Sequence, residues 1–375
     1  MFNVSDMVSL VMDKNACGIL IKKPSNIFYI TNFSGEGYVY FTCKGEIILY
    51  VDGRYSERAS KECFTKIKIV KIKEVYKDIV TDIFKRNARD GVTCRKYKPA
   101  LVPVMAIMFE SDYITYDEYS AFRGEFKSKI KLIPSGGAVS KIRSIKDESE
   151  LNYILEAVSI AEKSMIDALK TLKKNVYTEK DLALIYKKNL MERRSQESFE
   201  TITLSGKNSS LPHGLPSEKR IGKKSVLLCD FGAERNGYKS DETFTVHLGN
   251  PEGKFLDIYD TVYSAQQKAI SKIKPGVKFS YLDKIARNYI DKRGYGKYFT
   301  HSLGHGVGLN IHEYPYISKK NDDMVKEGMV FTVEPGVYIE GEFGIRIEDM
   351  CYVEEKGARV ITNIKKNKCR IEGLV

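Results

Sequence analysis

A chain of 375 residues is long for one domain and comfortable for two, and its apolar content of 42% is ample for a hydrophobic core. No stretch reaches the roughly 20 apolar residues of a membrane span, and no basic segment followed by an apolar run opens the chain, so we expect neither a membrane partner nor a secretory signal. The net charge of +12 is best explained by a lysine-rich surface. Because the sequence has no zinc-finger spacing and no aromatic-rich nucleic-acid motif, we expect no nucleic-acid partner.

The cysteine pattern favours a reducing compartment. Seven cysteines are odd in number and widely scattered, and no CxxC pair occurs, so a zinc–thiolate site is not expected. Scattered free thiols are typical of the cytoplasm, where we predict this protein to be located. The cysteines are Cys17, Cys43, Cys63, Cys94, Cys229, Cys351 and Cys369.

The first third of the chain shows α/β patterning. Short apolar runs at residues 16–22 and 47–51 predict strands, and residues 76–84 have helical periodicity. Residues 66–73 alternate in part between lysine and β-branched residues, which predicts a strand with one charged, solvated face.

A domain boundary is predicted at the turn-rich segment Pro134-Ser135-Gly136-Gly137. We therefore expect one domain at residues 1–135 and a second at residues 136–375. Residues 140–146 are interpreted as a connector.

The second domain is predicted to be α+β. Four segments keep the 3.6-residue apolar period of a helix, and short β-rich runs lie between them. The predicted helices cover residues 147–172, a segment beginning at Thr178, residues 255–273 and residues 281–292. The predicted strands cover residues 226–231, 243–248, 329–333 and 350–353. The acidic motifs of this domain fall at the ends of strands, which are rigid mounts for a preorganised site.

Two aspartates, Asp230 and Asp241, flank a hairpin signal. A lone aspartate near a turn is most often a capping or turn residue, but that explanation does not cover Asp230, which follows a buried apolar run. The dipeptide Asn236-Gly237 is a strong signal for a two-residue hairpin turn. Both aspartates would then be roughly equidistant from the turn, so we predict that their carboxylates converge across the ladder, as a two-metal site requires.

The histidines are concentrated in one segment. A lone histidine is usually a surface residue or a satisfied core residue, and we interpret His247 in this way. The clustering of His301, His305 and His312 favours a shared site instead. His305 lies between two glycines, which allow a backbone to approach a metal or substrate closely.

Glu334 and Glu348 each end an apolar segment. Burying a glutamate in a strand costs free energy unless the carboxylate is paired or bound to a metal. A salt bridge to the nearby Arg346 would also explain Glu348. With Asp230, Asp241 and His305, the two glutamates make an oxygen-rich ligand set with one imidazole. Such a set suits one or two divalent cations with open positions for water and substrate.

These motifs resemble those of the pita-bread metallopeptidases with a creatinase-like N-terminal domain, the Xaa-Pro aminopeptidases and Xaa-Pro dipeptidases. The resemblance covers nearly the whole chain. In the first half it rests on residues 26–33, Asp52-Gly53-Arg54-Tyr55 and residues 142–146. In the second half several separated motifs occur in the family's order, around Asp230, Asp241, His301, His305, His312, Glu334 and Glu348.

The resemblance implies both a fold and a cofactor. A smaller α/β creatinase-like domain would precede a pita-bread domain, which is a curved antiparallel sheet with covering helices. Two divalent metal ions would be bound, with Mn²⁺ expected and Co²⁺, Fe²⁺ or Zn²⁺ as alternatives that the sequence does not separate. Asp230 would hold one ion, His305 and Glu334 the other, and Asp241 and Glu348 would bridge both.

Roles at the substrate follow from the same resemblance. Glu334 would move the proton of the attacking water, and His312 would donate to the substrate carbonyl or to the developing oxyanion. His213 would join these two catalytic residues and line the substrate site. His301 and Arg346 match family positions near the proline of the substrate and near a bridging carboxylate.

The expected function is that of an Xaa-Pro aminopeptidase, a homodimer that removes the residue preceding proline from proline-containing peptides. One alternative is an Xaa-Pro dipeptidase, which acts on dipeptides alone. An alternative of another class is a catalytically inactive binding module, against which the complete ligand set argues. Phe244 stands where the family often has arginine. No metal ligand is lost by this departure, although it could alter packing near the site or the metal preference.

Overall fold

The computed structural model describes residues 2–90, 105–172, 177–367 and 369–370. The chain divides into two compact units, Met1–Arg143 and Ser144–Val375. The expected boundary at residues 134–137 lies before this division. Part of the expected connector is a short helix, Ala138–Arg143. Within the described ranges no helix is long and apolar enough to cross a membrane. The predicted free thiol Cys94 lies outside the described residues.

In the residues that the structure describes, the N-terminal unit is built around one six-stranded sheet with the order β4-β3-β2-β1-β5-β6. The central pairs β1–β2 and β2–β3 are antiparallel, and the remaining pairs are parallel. Its strands are β1 (Gly18–Ile21), β2 (Tyr38–Thr42), β3 (Ile47–Val51), β4 (Lys68–Lys71), β5 (Met105–Phe109) and β6 (Ile130–Pro134). Its helices are α1 (Val4–Asp13), α2 (Pro24–Thr31), α3 (Ser56–Glu62), α4 (Val75–Asp90), α5 (Tyr116–Phe126) and α6 (Ala138–Arg143).

Burial along these strands explains their sequence patterns. Strands β1, β2 and β3 are buried along their whole length, which accounts for their continuous apolar runs. Strand β4 forms an edge of the sheet, and its terminal residues Lys68 and Lys71 are exposed. Charged residues on an edge strand discourage pairing with another chain. The predicted α/β architecture of this unit is confirmed.

The described part of the C-terminal unit contains four long helices. Asp147 and Thr178 begin the first two as N-caps, each with a reciprocal capping box that satisfies two backbone N–H groups. The helix predicted from Thr178 therefore starts where its sequence signal indicates. The helices are α7 (Glu148–Thr171), α8 (Glu179–Glu192), α9 (Lys254–Ile270) and α10 (Phe279–Lys292).

All strand pairings of the C-terminal unit are antiparallel in its described part. The sheet orders are β11-β10-β7, β12-β9-β8, β14-β13-β15-β18-β19 and β16-β17. The strands are β7 (Gln196–Glu197), β8 (Ile202–Ser205), β9 (Val226–Phe231), β10 (Ala233–Arg235), β11 (Tyr238–Lys239), β12 (Glu242–His247), β13 (Gly304–Gly306), β14 (Glu313–Ile317), β15 (Val330–Val333), β16 (Gly336–Ile339), β17 (Phe343–Arg346), β18 (Asp349–Glu354) and β19 (Gly357–Val360).

Two apolar clusters hold the helices against the strands. Alternate residues of β9 and β12, including Phe231 and Phe244, pack with α7 and α8. Alternate residues of β15 and β18, including Phe331 and Cys351, pack with α9 and α10. Because successive side chains of a strand point to opposite faces, Asp230 and Glu334 project away from these clusters.

Candidate metal centre

Asp230 and Asp241 lie on the two arms of one hairpin. Asn236 and Gly237 form its turn with positive φ values of 51° and 83°, as a two-residue hairpin of the I′ type requires. Asp230 pairs with Thr243, and Asp241 precedes β12 by one position. The two aspartates are thus diagonal neighbours on one face of the ladder. The hairpin prediction is confirmed.

Glu348, which lies one position before β18, reaches this hairpin. Its backbone N–H donates to the Thr243 carbonyl over 3.0 Å, and the Thr243 hydroxyl donates to Glu348 Oε2 over 2.6 Å. Asp241, Glu348 and His305 each offer one ligand atom, and these atoms all lie within 4.8 Å of one another. Three predicted ligands, separated by up to 107 positions in sequence, therefore meet at one point.

His305 and Glu334 complete the acidic cluster. His305 Nε2 lies 3.5 Å from Asp241 Oδ2 and 3.3 Å from Glu334 Oε1. Gly304 allows this approach, because a Cβ atom at that position would lie 2.1 Å from the Thr332 carbonyl oxygen. A side chain at residue 304 would therefore push β13 away from β15. The Thr332 hydroxyl donates to Glu334 Oε1 over 3.2 Å and so helps to orient that carboxylate.

Burial and mutual repulsion raise the free energy of these charged carboxylates when no cation is bound. Burial, followed by repulsion from neighbouring carboxylates, raises the pKa of Asp241 and of Glu348 well above the usual range. Burial likewise raises the pKa of Glu334 to about 8. Arg346 offers a counter-charge and donates to Asp230 Oδ2 over 2.5 Å. Asp230 Oδ1 is buried and has no hydrogen-bond partner among the described residues.

The imidazole of His305 is suited to act as a metal ligand. Burial, with a contribution from His312, lowers its pKa to about 3, so the ring is neutral at physiological pH. A neutral imidazole beside several carboxylates is a donor set typical of divalent first-row metals. The buried thiols Cys229 and Cys351 belong to the apolar clusters instead. The residues present therefore fit the expected hard metal site.

A cavity of about 310 Å³ opens onto the cluster. It brings together every residue that the sequence predicted for the site: Asp230, Asp241, His305, Glu334, Glu348, His213, His301, His312 and Arg346. Their convergence is a property of the structure, whereas their individual roles stay predictions. Apolar residues, including Phe199, Ile202 and Tyr316, line the rest of the cavity.

The histidines that line this cavity differ in their exposure and in their contacts. The ring of His312 is exposed and lies 4.2 Å from that of His305, edge to face. His213 is also exposed. His301 Nε2 lies 3.1 Å from the Tyr338 hydroxyl, and burial lowers the pKa of His301 to about 4. His301 is thus a neutral hydrogen-bonding group at physiological pH.

Two polar residues of the site were missed in the sequence. Tyr338 accepts a hydrogen bond from Arg346 over 2.8 Å, and no sequence signal marks it. Thr243 could have been found, because strand alternation places it on the face that Asp241 occupies. Phe244 lies on the opposite face, against Phe231 at a ring distance of 5.7 Å. Its side chain therefore belongs to the core and not to the cavity.

Comparison with known proteins places this arrangement in a family. Residues 152–355 match the model of metallopeptidase family M24, and residues 7–145 match the creatinase/prolidase N-terminal domain. The chain belongs to metallopeptidase family M24. Hydrolase activity that depends on divalent metal is the general property of such peptidases, and the predicted two-part fold and family resemblance are confirmed.

The M24 chain has relatives that match it along nearly its whole length. It is 36% identical over 358 residues to an Xaa-Pro dipeptidase of Pyrococcus furiosus, covering 95% of this chain and 96% of the relative. An Xaa-Pro dipeptidase structure from Bacillus anthracis has a TM-score of 0.85 at 33% identity, covering 98% and 100% of the two chains. An X-Pro aminopeptidase structure from Thermotoga maritima has a TM-score of 0.84 at 29% identity, covering 99% and 100%.

Proposed function

We propose that this M24 metallopeptidase is an Xaa-Pro dipeptidase, which hydrolyses the bond between an amino-terminal residue and a carboxy-terminal proline. The observation that carries the proposal is the full-length similarity to Xaa-Pro dipeptidases, at 36% identity in the Pyrococcus furiosus relative. This proposal replaces the expected aminopeptidase, which was the main interpretation of the sequence. The cavity of about 310 Å³ lies within the usual range of small-molecule sites, which fits a short peptide substrate.

The chemistry of proline explains why a dedicated peptidase is needed for this bond. Its amide nitrogen carries no N–H group, and its ring fixes φ near −65°. Peptidases that hold an extended backbone by its N–H groups therefore handle this bond poorly. In this protein the proposed metal centre and the side chains proposed to surround the proline would take over that role.

Five residues are proposed to hold two divalent cations, with Mn²⁺ as the expected metal and Co²⁺, Fe²⁺ or Zn²⁺ as alternatives. Asp230 would serve one ion, His305 and Glu334 the other, and Asp241 and Glu348 both. Bound ions of this kind polarise a carbonyl and lower the pKa of water. The buried carboxylates with raised pKa values support this assignment.

The remaining roles belong to side chains of the cavity. Glu334 takes a proton from the attacking water and delivers it to the leaving nitrogen of proline. His312, exposed beside His305, donates to the carbonyl oxygen as negative charge develops on it. His213 and His301 contact the substrate, and Arg346 orients Asp230 through its ion pair.

The second candidate is an Xaa-Pro aminopeptidase, which the Thermotoga maritima structure favours. The decisive test compares Ala-Pro with Ala-Pro-Ala in the presence of Mn²⁺. A dipeptidase should cleave Ala-Pro with the higher kcat/KM, by at least about tenfold, whereas the opposite order would identify an aminopeptidase. A protein that binds metal but cleaves neither peptide would be the inactive binding module. Homodimer formation and a cytoplasmic location stay predictions.

A further inference from the structure

Behind the proposed metal centre lies a buried ammonium group. Lys366 follows β19, and its side chain is 2% exposed. Its Nζ atom donates to Glu242 Oε1 over 2.5 Å, to Asp349 Oδ1 over 2.6 Å and to the Ile364 carbonyl over 3.3 Å. A lysine ammonium has three donors, so these acceptors use its full capacity.

The two carboxylate partners of Lys366 adjoin the two proposed bridging ligands. Glu242 directly follows Asp241, and Asp349 directly follows Glu348. Adjacent residues of extended chain point to opposite faces. Lys366 therefore ties the rear faces of β12 and β18 together, at the level where Asp241 and Glu348 meet on the front.

Asp349 is fixed from further directions. Its Oδ1 atom also accepts from the Thr362 hydroxyl over 2.6 Å, and its Oδ2 atom accepts from Gln266 Nε2 over 3.0 Å. Gln266 Nε2 also reaches the carbonyls of Val333 and Ile347, at 3.1 and 3.3 Å. These two residues immediately precede Glu334 and Glu348. The same network thus contacts the backbone beside a third proposed ligand.

We propose that Lys366 is a positioning residue for the metal centre, setting the separation of Asp241 and Glu348 by holding Glu242 and Asp349 together. This inference rests on the proposed function, since it takes these residues as metal ligands. Groups that hold metal ligands in place typically contribute about 10–100-fold to metal affinity. A buried pair that merely stabilised the fold would change the unfolding temperature and leave the affinity of the folded protein unchanged.

The test is a titration of the full-length, metal-depleted protein with Co²⁺, followed by its visible absorption spectrum. The variant Lys366→Met removes the ammonium and keeps an unbranched side chain. Lys365→Met is the matched control, because Lys365 is the neighbouring residue and is exposed. We expect about 10–100-fold weaker Co²⁺ binding and an altered absorption band for Lys366→Met, with wild-type values for Lys365→Met.

A milder variant covers the case in which Lys366→Met does not fold. Thr362→Val leaves the charged groups in place and removes one hydrogen bond to Asp349. It should weaken Co²⁺ binding about two- to tenfold, as expected for the loss of a single hydrogen bond. Circular dichroism and thermal unfolding of each metal-free variant separate changes of fold from changes of affinity.

Three outcomes are informative. Wild-type affinity and spectrum in folded Lys366→Met would overturn the inference alone. If that variant is unfolded, wild-type values in Thr362→Val would overturn its premise, that the fixing of Asp349 sets the position of Glu348. A wild-type protein that binds no Co²⁺ would overturn the proposed metal centre and this inference with it. A wild-type protein that binds Co²⁺ but cleaves no Xaa-Pro peptide would refute the proposed function, while the measured affinities would still decide the role of Lys366.

Discussion

Thr243 joins two carboxylates of the candidate metal centre. It lies opposite Asp230 in the ladder between β9 and β12, and its hydroxyl donates to Glu348 Oε2 over 2.6 Å. The same hydroxyl oxygen accepts from Arg346 Nε over 3.2 Å. One small side chain thus fixes the orientation of a proposed bridging ligand and contacts the arginine that holds another ligand.

Replacing Thr243 by valine should therefore weaken metal binding. Valine has a similar shape and lacks the hydroxyl, so Glu348 would lose its donor. We expect about 10–100-fold lower Mn²⁺ affinity, measured by calorimetric titration of the metal-depleted protein. Thr261→Val is a suitable control, because Thr261 is buried and donates within α9 to the Asp257 carbonyl. Equal affinities for both variants would contradict the role given to Thr243.

Removal of metal should abolish peptidase activity. The proposed ligands are four carboxylates and one imidazole, which bind divalent cations reversibly. Dialysis against a chelator should eliminate hydrolysis of Ala-Pro, and Mn²⁺ or Co²⁺ should restore it. Asp241→Ala should lose bound metal as well, since that carboxylate is proposed to serve both ions. Undiminished turnover by protein shown to be free of metal would refute the site.

Substitution of Glu334 by glutamine should separate folding from chemistry. The amide is nearly isosteric, but it cannot carry the proton and is a poorer ligand. General acid–base catalysis typically contributes about 10²–10⁴-fold, so we expect kcat on Ala-Pro to fall by at least that factor. The exposed Glu327→Gln is a control. Near wild-type kcat in a folded Glu334→Gln protein would assign proton transfer to another group.

The second residue of the substrate should have to be proline. His301 lies in the cavity beside Tyr338, in the region assigned to the proline ring. We expect kcat/KM for Ala-Pro to exceed that for Ala-Ala by at least about tenfold, which corresponds to roughly 1.4 kcal/mol of transition-state binding. Comparable values for the two dipeptides would show that the enzyme is a general dipeptidase.

Breaking one buried ion pair should lower the free energy of unfolding strongly. Lys146 Nζ lies 2.9 Å from Glu313 Oε1, and the two side chains are 1% and 3% exposed. Lys146→Met would remove the ammonium group from beside a buried carboxylate, so the free energy of unfolding should fall by about 3–5 kcal/mol. The exposed pair of Lys180 and Glu218 offers the contrast: Lys180→Met should cost less than about 1 kcal/mol. Denaturant unfolding of both variants checks the difference.

Local signals in the sequence predicted the hairpin turn and the helix starts, because these depend on neighbouring residues. Asn236-Gly237 predicted a hairpin, and the roughly equal spacing of Asp230 and Asp241 about it predicted their convergence, although the register places Asp241 diagonally to Asp230 and not opposite it. Capping residues such as Thr178 marked helix ends within one position. The association of separate motifs into one cavity came from the family resemblance, because no local pattern states how distant strands pair.

Contacts between segments far apart in sequence could not be predicted in the same way. Lys366 and Glu242 are separated by 124 positions, and a lysine in a lysine-rich chain carries no sign of burial. Tyr338 likewise has no local signal. Phe244 illustrates the converse case: its departure from the family pattern suggested an effect near the metal, yet strand alternation turns it into the apolar cluster beneath α7 and α8.

The convergence of buried carboxylates affects the lifetime of the protein in a cell. In the metal-free chain these groups repel one another, whereas a cation binds the folded state and not the dispersed ligands of the unfolded chain. Folding and metal uptake are therefore thermodynamically linked. Free metal at 100 times its dissociation constant would add about 2.7 kcal/mol to stability. When metal is scarce, more molecules would open and reach cellular proteases, so metal availability would govern the lifetime of this peptidase as well as its turnover.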